Sequence, residues 1–467
     1  MSKKTAKQIL PFLLLAAVAI AAMFIKPLPD YVPGEKDPQY SSADIAWVLI
    51  STALVFLMTP GLAFFYGGMV NRKNVISTMI KSVVAAGVVG ILWVVCGFSL
   101  AFGDSIKGII GDPTTFAFFH NVKGHAAWPL ANTIPLTLFS LFQLMFAIIT
   151  PGLVVGALAE RIRFTSFILF IVLFSLLVYA PLAHWSWHPD GFLAKMGAFD
   201  FAGGTVVHIS AGCAALAGAL VLKRRKSHVE NREIPPANVP YVLIGTGLLW
   251  FGWFGFNAGS AVGSTPLAVN AFGTTTTAAS AAGLTWMFFD VIKGKKPSVL
   301  AFCIGAVVGL VAITPAAGYV GIPQSIIVGL VGAMVSNIAV SIKQKSTLDD
   351  TLDVFPCHGI GGMVGMLLTG VFASTNVNSA GPNGAFYGNP GFLLTQFEAM
   401  GIVVVYSFVV SYGIFKFINL IVPIRVSEME EELGLDESQH NEKYMQGHLI
   451  VHHNGEMKET PAEKLLK

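Results

Sequence analysis

Two histidines sit in stretches too apolar to hold them without a reason. His208 closes the segment Asp200-Phe-Ala-Gly-Gly-Thr-Val-Val-His208, at the start of an apolar run, Phe201 to Leu222, that stops at Lys223-Arg224-Arg225-Lys226. His358 lies in a second such run, Val354 to Phe372. Runs of this length match the hydrocarbon thickness of a bilayer. An imidazole about two turns inside is expensive there, and ionisable residues in spanning segments are functional by default. The chemistry on offer is a polar line through an oily interior, two imidazoles paired with one ring nitrogen donating to the other, lining a pore. The plain alternative is that each ring bonds a neighbouring carbonyl and fills space. Two buried imidazoles could also be axial haem ligands, but nothing else in the chain resembles a haem pocket.

A second constellation is aromatic. In Trp250-Phe-Gly-Trp253-Phe254-Gly255-Phe256-Asn257-Ala258-Gly259-Ser260 the rings alternate with glycine and end on two polar side chains. Interface-belt residues would account for Trp250 and Trp253, but not for that interleaving. Phe142 and Phe146 stand four apart, on one helix face, and Trp187 lies in the loop segment Ala183-His184-Trp185-Ser186-Trp187. Ring faces hold a cation at about 1–2 kcal/mol per desolvated contact without a charged partner. The Ser260 hydroxyl adds one directional acceptor. Such a site binds cations selectively and weakly, which suits passage better than storage. Asp200 reads first as a helix N-cap; Asp353 has the same ambiguity. Glu398 is expected inside the last span, bonded to a neighbouring helix. Gly203-Gly204 and Gly361-Gly362 are read as close-packing positions.

The elements that must position these residues follow from composition. Of 467 residues 54% are hydrophobic and only 12% charged, with mean hydropathy +0.68. Soluble domains carry about twice that charge fraction, so the chain is a polytopic all-α membrane protein in a lipid bilayer. Eleven apolar runs follow residue 43, at about 44–70, 75–102, 130–158, 165–183, 201–222, 240–261, 265–292, 298–314, 322–342, 352–373 and 392–422. If they alternate in direction, one set of loops carries fourteen Lys and Arg, among them Arg72, Arg161, Arg225 and Lys343, against Lys107, Lys123 and Lys195 opposite. The basic side faces the cytoplasm; the core then starts outside and the tail lies inside, in the cell inner (cytoplasmic) membrane. The two histidine spans are the fifth and the tenth and run in opposite senses, as a five-plus-five inverted repeat followed by a final long helix requires. Repeat-related spans cross near the midplane, which brings His208 towards His358.

Residues 1–22 read as a cleaved signal peptide or a retained extra span, and the basic-loop rule does not separate the two. Residues 23–43 are a Pro-rich extracytoplasmic leader, 44–422 the membrane domain, and 423–467 a polar cytoplasmic tail that cannot bury a core. The four cysteines fall inside apolar runs and are read as free thiols.

Asp-Phe-Ala-Gly-Gly-Thr-Val-Val-His, Ala-Glu-Arg-Ile-Arg (159–163), Trp-Phe-Gly-Phe-Asn-Ala-Gly-Ser and Asp-Val-Phe-x-x-His-Gly together resemble the Amt ammonium transporters of the Amt/Rh family, over roughly residues 44–436. The resemblance implies an eleven-span inverted-repeat fold assembled as a homotrimer with one pore per subunit. It implies no enzyme, no cofactor, no resident metal and no nucleic-acid partner. On it, Phe142, Trp187 and Ser260 resemble the outer ammonium site and Asp200 the aspartate beside it. Phe146 with Phe256 resembles the stacked phenyl gate, with Trp253 next to it, and His208 with His358 the twin histidines. Gly434-Leu435-Asp436 resembles the tail segment that couples subunits and meets PII-type signalling proteins. Three departures stand out: Gln-Leu-Met between Phe142 and Phe146, Pro356-Cys357 before His358, and a tail continuing past Asp436 with His440, His448, His452 and His453. The expected function is ammonium transport, by deprotonation at the outer site and conduction of ammonia with a separately moved proton. The alternative is an ammonium sensor signalling through the tail.

Overall fold

The computed structural model describes residues 3–26, 40–444, 449–451 and 457–459. A helix over Lys3–Met23 (α1) precedes the bundle, and most side chains of its apolar part, including Phe12, Leu14 and Ile20, are exposed. The middle of the Pro-rich leader and tail residues His448, His452 and His453 lie outside the described residues.

Eleven long helices follow: α2 (Ser42–Met69), α3 (Arg72–Phe102), α4 (Leu136–Leu158), α5 (Phe164–Lys195), α6 (Gly204–Leu222), α7 (Val239–Ala261), α8 (Pro266–Ile292), α9 (Val299–Ile313), α10 (Ile322–Gln344), α11 (Phe355–Phe372) and α12 (Pro390–Ile421). Among the described residues nine of these are long and apolar enough to cross a membrane. The other two fall short for different reasons. Helix α9 has only 15 residues. Helix α8 has the length, but carries Asn270, Thr274 to Thr277 and Asp290. Its threonines return their hydroxyls to carbonyls one turn back, as Thr275 does to Ala271 at 2.6 Å, which lets the helix carry hydroxyls in apolar surroundings. Glu398 is exposed near the start of α12 rather than bonded within the bundle.

The packing of α2 to α6 recurs in α7 to α11. Helix α2 packs on α4 as α7 packs on α9, α3 on α5 as α8 on α10, and α4 on α6 as α9 on α11. Helices α6 and α11 meet in reversed register: a methyl at Gly212 would lie 2.3 Å from the Gly359 Cα, and one at Gly362 would lie 3.0 Å from the Gly204 carbonyl. The earlier residue of one helix thus faces the later residue of the other, so the two run antiparallel with their backbones in contact. Only glycine permits that approach. Helices α4 and α6 are the most enclosed, with 89% and 83% of their apolar windows buried, whereas α3 and α12, at 33%, form the periphery.

The chain after α12 is not a free tail. Helices α13 (Glu428–Leu433) and α14 (Leu435–His440) fold back onto the loops at one end of the bundle, here called the tail face. Leu435 is wholly buried, its amide donating to Asn74 Oδ1 at 2.8 Å. The expectation that this segment buries nothing is therefore corrected: it borrows the bundle's loops as its core. All four cysteines are free, with Cys213, Cys303 and Cys357 buried.

Candidate functional site

The two histidines start their helices in the same way. Each stands in a π-type turn, Gly204–Ile209 for His208 and Phe355–Ile360 for His358. A π turn inserts a residue and swings side chains out of the regular helical rows, which is why such turns gather at functional sites. A third, Phe254–Ala258, carries Phe256.

Each histidine helix is also capped by a buried aspartate. The Asp200 carboxylate accepts the amides of Gly203 at 2.9 Å, Gly204 at 2.6 Å, Thr205 at 2.7 Å and Val206 at 3.3 Å, together with the Thr205 hydroxyl. That carboxylate is fully used in holding the helix start. Asp200 acts on the site through its carbonyl, which accepts the Trp187 Nε1–H at 3.0 Å. The corresponding cap of the second histidine helix is Asp350, which takes the amides of Val354 at 3.0 Å and Phe355 at 2.7 Å. Burial lifts its carboxyl to about 6, with Lys343 pulling the other way. Asp353, the acid singled out by sequence, instead faces Lys343 at 2.7 Å. The missed signal was spacing: His208 follows Asp200 by eight positions, and His358 follows Asp350 by eight. Pro356 does not disturb this start, since it stands in the first turn where no donor is lost.

The site residues form one continuous line. Phe142 meets Phe146 edge-on with ring centroids 5.0 Å apart, and Phe146 meets Trp187 edge-on at 5.9 Å. Phe146 and Phe256 lie ring against ring at 4.3 Å and 32°. Ser260 is beside this group: the backbone at Gly259 is so close to Phe142 that an added methyl would lie 3.0 Å from the ring. The Ser260 hydroxyl gives its proton to the Phe256 carbonyl at 2.8 Å, which leaves its oxygen lone pairs for an incoming N–H. Beyond the phenyl pair, His208 lies 5.9 Å from Phe256 and parallel to Trp253, at 5.4 Å and 17°. Trp253 is fixed by an indole bond to Thr314 Oγ1 at 2.9 Å, a residue the sequence did not single out.

His208 and His358 then stack at 5.4 Å and 28°, with their Nδ1 atoms 3.4 Å apart. They border a lumen of about 10 Å³, room for about one water, lined otherwise by apolar side chains such as Leu62, Ile149, Leu153 and Val307. His208 Nε2 is buried there without a hydrogen-bond partner. His358 also lines a wider cavity of about 470 Å³ towards the tail face, with Cys357, Asp290, Asn337 and Asp353 on its wall. The residues run in sequence from an aromatic cluster with one hydroxyl acceptor, past the phenyl pair, to a one-water lumen beside two imidazoles and then a wider cavity. Gln143, one of the unexpected residues between Phe142 and Phe146, carries a buried amide oxygen with no partner.

The tail residues Gly434, Leu435 and Asp436 are far from this path, on the loop between α2 and α3. Asp436 accepts the amides of Ile76 at 3.1 Å and Ser77 at 2.7 Å, capping the end of α3. Gly434 adopts φ +99°, and a side chain there would strike Lys73. Nearby, Arg225 bridges Glu160 at 2.6 Å and Asp349 at 2.8 Å. Burial opposes the charge on Asp349, but Arg161 and Arg225 outweigh it and hold the carboxyl well below its usual range.

The sequence model of the Ammonium Transporter Family matches residues 46–445. An ammonium transporter of Bacillus subtilis is 46% identical over 408 residues, covering 86% of this chain and 98% of its own length. The ammonium transporter Amt1 of Archaeoglobus fulgidus is 44% identical over 402 residues, covering 86% and 99%. The crystal structure of Candida albicans Mep2 superposes with TM-score 0.79 at 36% identity, covering 84% of this chain and 88% of that one.

Proposed function

The chain belongs to the ammonium transporter family, and from that premise we propose how it moves its cargo: ammonium is taken in as a cation and crosses as ammonia, its proton travelling separately. The work is transport and involves no enzymatic step. On this reading Phe142 and Trp187 hold ammonium by their ring faces and Ser260 accepts one of its N–H bonds. Asp200 supports the site by fixing Trp187 and the helix start. Phe146 and Phe256 part to admit the cargo and exclude its hydration shell. Trp253 keeps His208 flat against the path.

The observation that carries this reading is the 3.4 Å approach of His208 Nδ1 to His358 Nδ1 behind a closed phenyl pair. With Nδ1 facing Nδ1, one nitrogen must donate and the other accept. The two Nε2 atoms are then unlike, one bare and one N–H, a pattern that suits neutral ammonia, which both accepts and donates. Moving a neutral molecule also avoids most of the penalty of carrying charge through hydrocarbon. Potassium, of similar size, has no proton to shed and is excluded.

The proposal includes net charge movement, a multi-pass placement in the cytoplasmic membrane with the tail face inside, and a homotrimer. The excess of Lys and Arg in the loops of the tail face supports that orientation. The tail helices, seated on the loop that leads into α3, suit a regulatory segment and a PII-type partner. The test is current on solid-supported membranes carrying the purified protein. Ammonium pulses should give current and potassium pulses none. An ammonia-driven pH change in vesicles without current would replace the charge-coupled reading with an electroneutral channel. Tight binding with neither signal would favour a sensor.

A further inference from the structure

Helix α3 carries a lysine where the bundle is closed. Lys81 is about 1% exposed. It donates to the Ser77 carbonyl at 3.0 Å and to the Ser77 hydroxyl. The Ser77 amide in turn donates to Asp436 of the docked tail at 2.7 Å. Ser77 thus stands between a buried lysine of the bundle and a buried carboxylate of the tail, with all three of its polar atoms engaged.

One helical turn past Asp436 on α14 stands His440, and one turn past Ser77 on α3 stands Lys81. The two helices pack together, so both i, i+4 pairs share one seam. The His440 ring meets Phe164 edge-on at 5.0 Å, and its Nε2 is buried without a hydrogen-bond partner. The charged groups that act on the ring are Lys81 on α3 and Glu442 just beyond α14; the neighbouring Gln439 is neutral, its amide held by Glu430.

We propose that Lys81 and His440 make docking of the tail proton-sensitive: α14 stays on α3 while His440 is neutral and leaves when His440 takes up a proton. An imidazolium would otherwise sit in a buried seam without a hydrogen-bond partner, beside a carboxylate, Asp436, already committed to backbone amides. Burial first, and the Lys81 charge second, hold the docked imidazole below its usual range, while Glu442 works against them. A group depressed in the docked state contributes docking free energy that is complete above its free value, near 6.5, and is lost as pH falls below it. Between pH 7.5 and 5.5 the docking equilibrium therefore weakens by up to about tenfold. Burial raises the Asp436 carboxyl, so its protonation would act in the opposite sense.

The inference rests on the regulatory reading of the tail only for its effect on flux; docking is read directly. Hydrogen exchange of residues 434–442 in the full-length protein, corrected for intrinsic rates, is compared at pH 7.5 and 5.5. Several-fold loss of protection at pH 5.5 is expected in the wild type, none in His440→Gln, and a smaller loss in Lys81→Met. Unchanged protection in the wild type, or an equal loss in His440→Gln, overturns the latch. Ammonium current recorded on the same samples separates the two readings. Loss of protection with unaltered current leaves the latch standing and removes the tail from control of transport.

Discussion

His208 and His358 contribute no net charge to the lumen, only the direction of one hydrogen bond. Replacing both by alanine removes the two groups that could solvate ammonia or pass its proton. His208→Ala/His358→Ala is expected either to abolish ammonium current or to admit potassium, and a selective ammonium current surviving in the double variant would refute the role given to the pair. Ser260 offers a milder test. Loss of one neutral acceptor is worth about 0.5–1.5 kcal/mol, so Ser260→Ala should raise the half-saturating ammonium concentration about two- to tenfold. The maximal current should change less, since the phenyl closure and imidazoles are untouched. These residues were legible in sequence because their types clash with their surroundings: imidazoles in hydrocarbon, glycine between rings. Asp350 and Thr314 were not. Aspartates before apolar runs are ordinary caps, and the Trp253–Thr314 bond spans 61 positions that no local pattern links.

The helices carrying these residues are held by shape rather than by charge. Gly212 and Gly359 let α6 and α11 touch backbone to backbone, and a methyl at Gly212 has nowhere to go. Gly212→Ala should cost about 1–3 kcal/mol by overpacking and lower the thermal midpoint of the purified protein. Gly247→Ala is the control, because a methyl there meets nothing within 4 Å; an equal drop in both variants would contradict the close-packing account. The runs themselves could be read from hydropathy, and their alternation predicted which two would cross. The π turns could not: Gly204–Ile209 and Phe355–Ile360 look like any helix start in composition, and only the long-range fit of the two imidazoles distinguishes them.

At the scale of the molecule, the tail is the element that sequence placed least well. Its acidic residues suggested solvent, yet Glu430 and Glu431 pair with Arg163 and Arg425, and Leu435 is buried. What was hidden is that the loops of the bundle supply the missing half of the tail's core. Gly434 sets the turn between α13 and α14 at φ +99°, ψ 150°, a region open essentially to glycine alone. Gly434→Ala is therefore expected to release α14, so that limited proteolysis at neutral pH cleaves after residue 434 faster than in the wild type. Equal cleavage rates would mean that the turn is not what seats the tail.

The antiparallel crossing of α6 and α11 has a consequence for biosynthesis. One imidazole belongs to each half of the chain, separated by 150 positions. During synthesis the first half enters the membrane with His208 but without the ring that completes the pair, and with Phe146 but without Phe256. The path exists only after the second half has been inserted in the reverse sense and the glycines of the two helices have met. A nascent or truncated chain is accordingly a bundle with no throat.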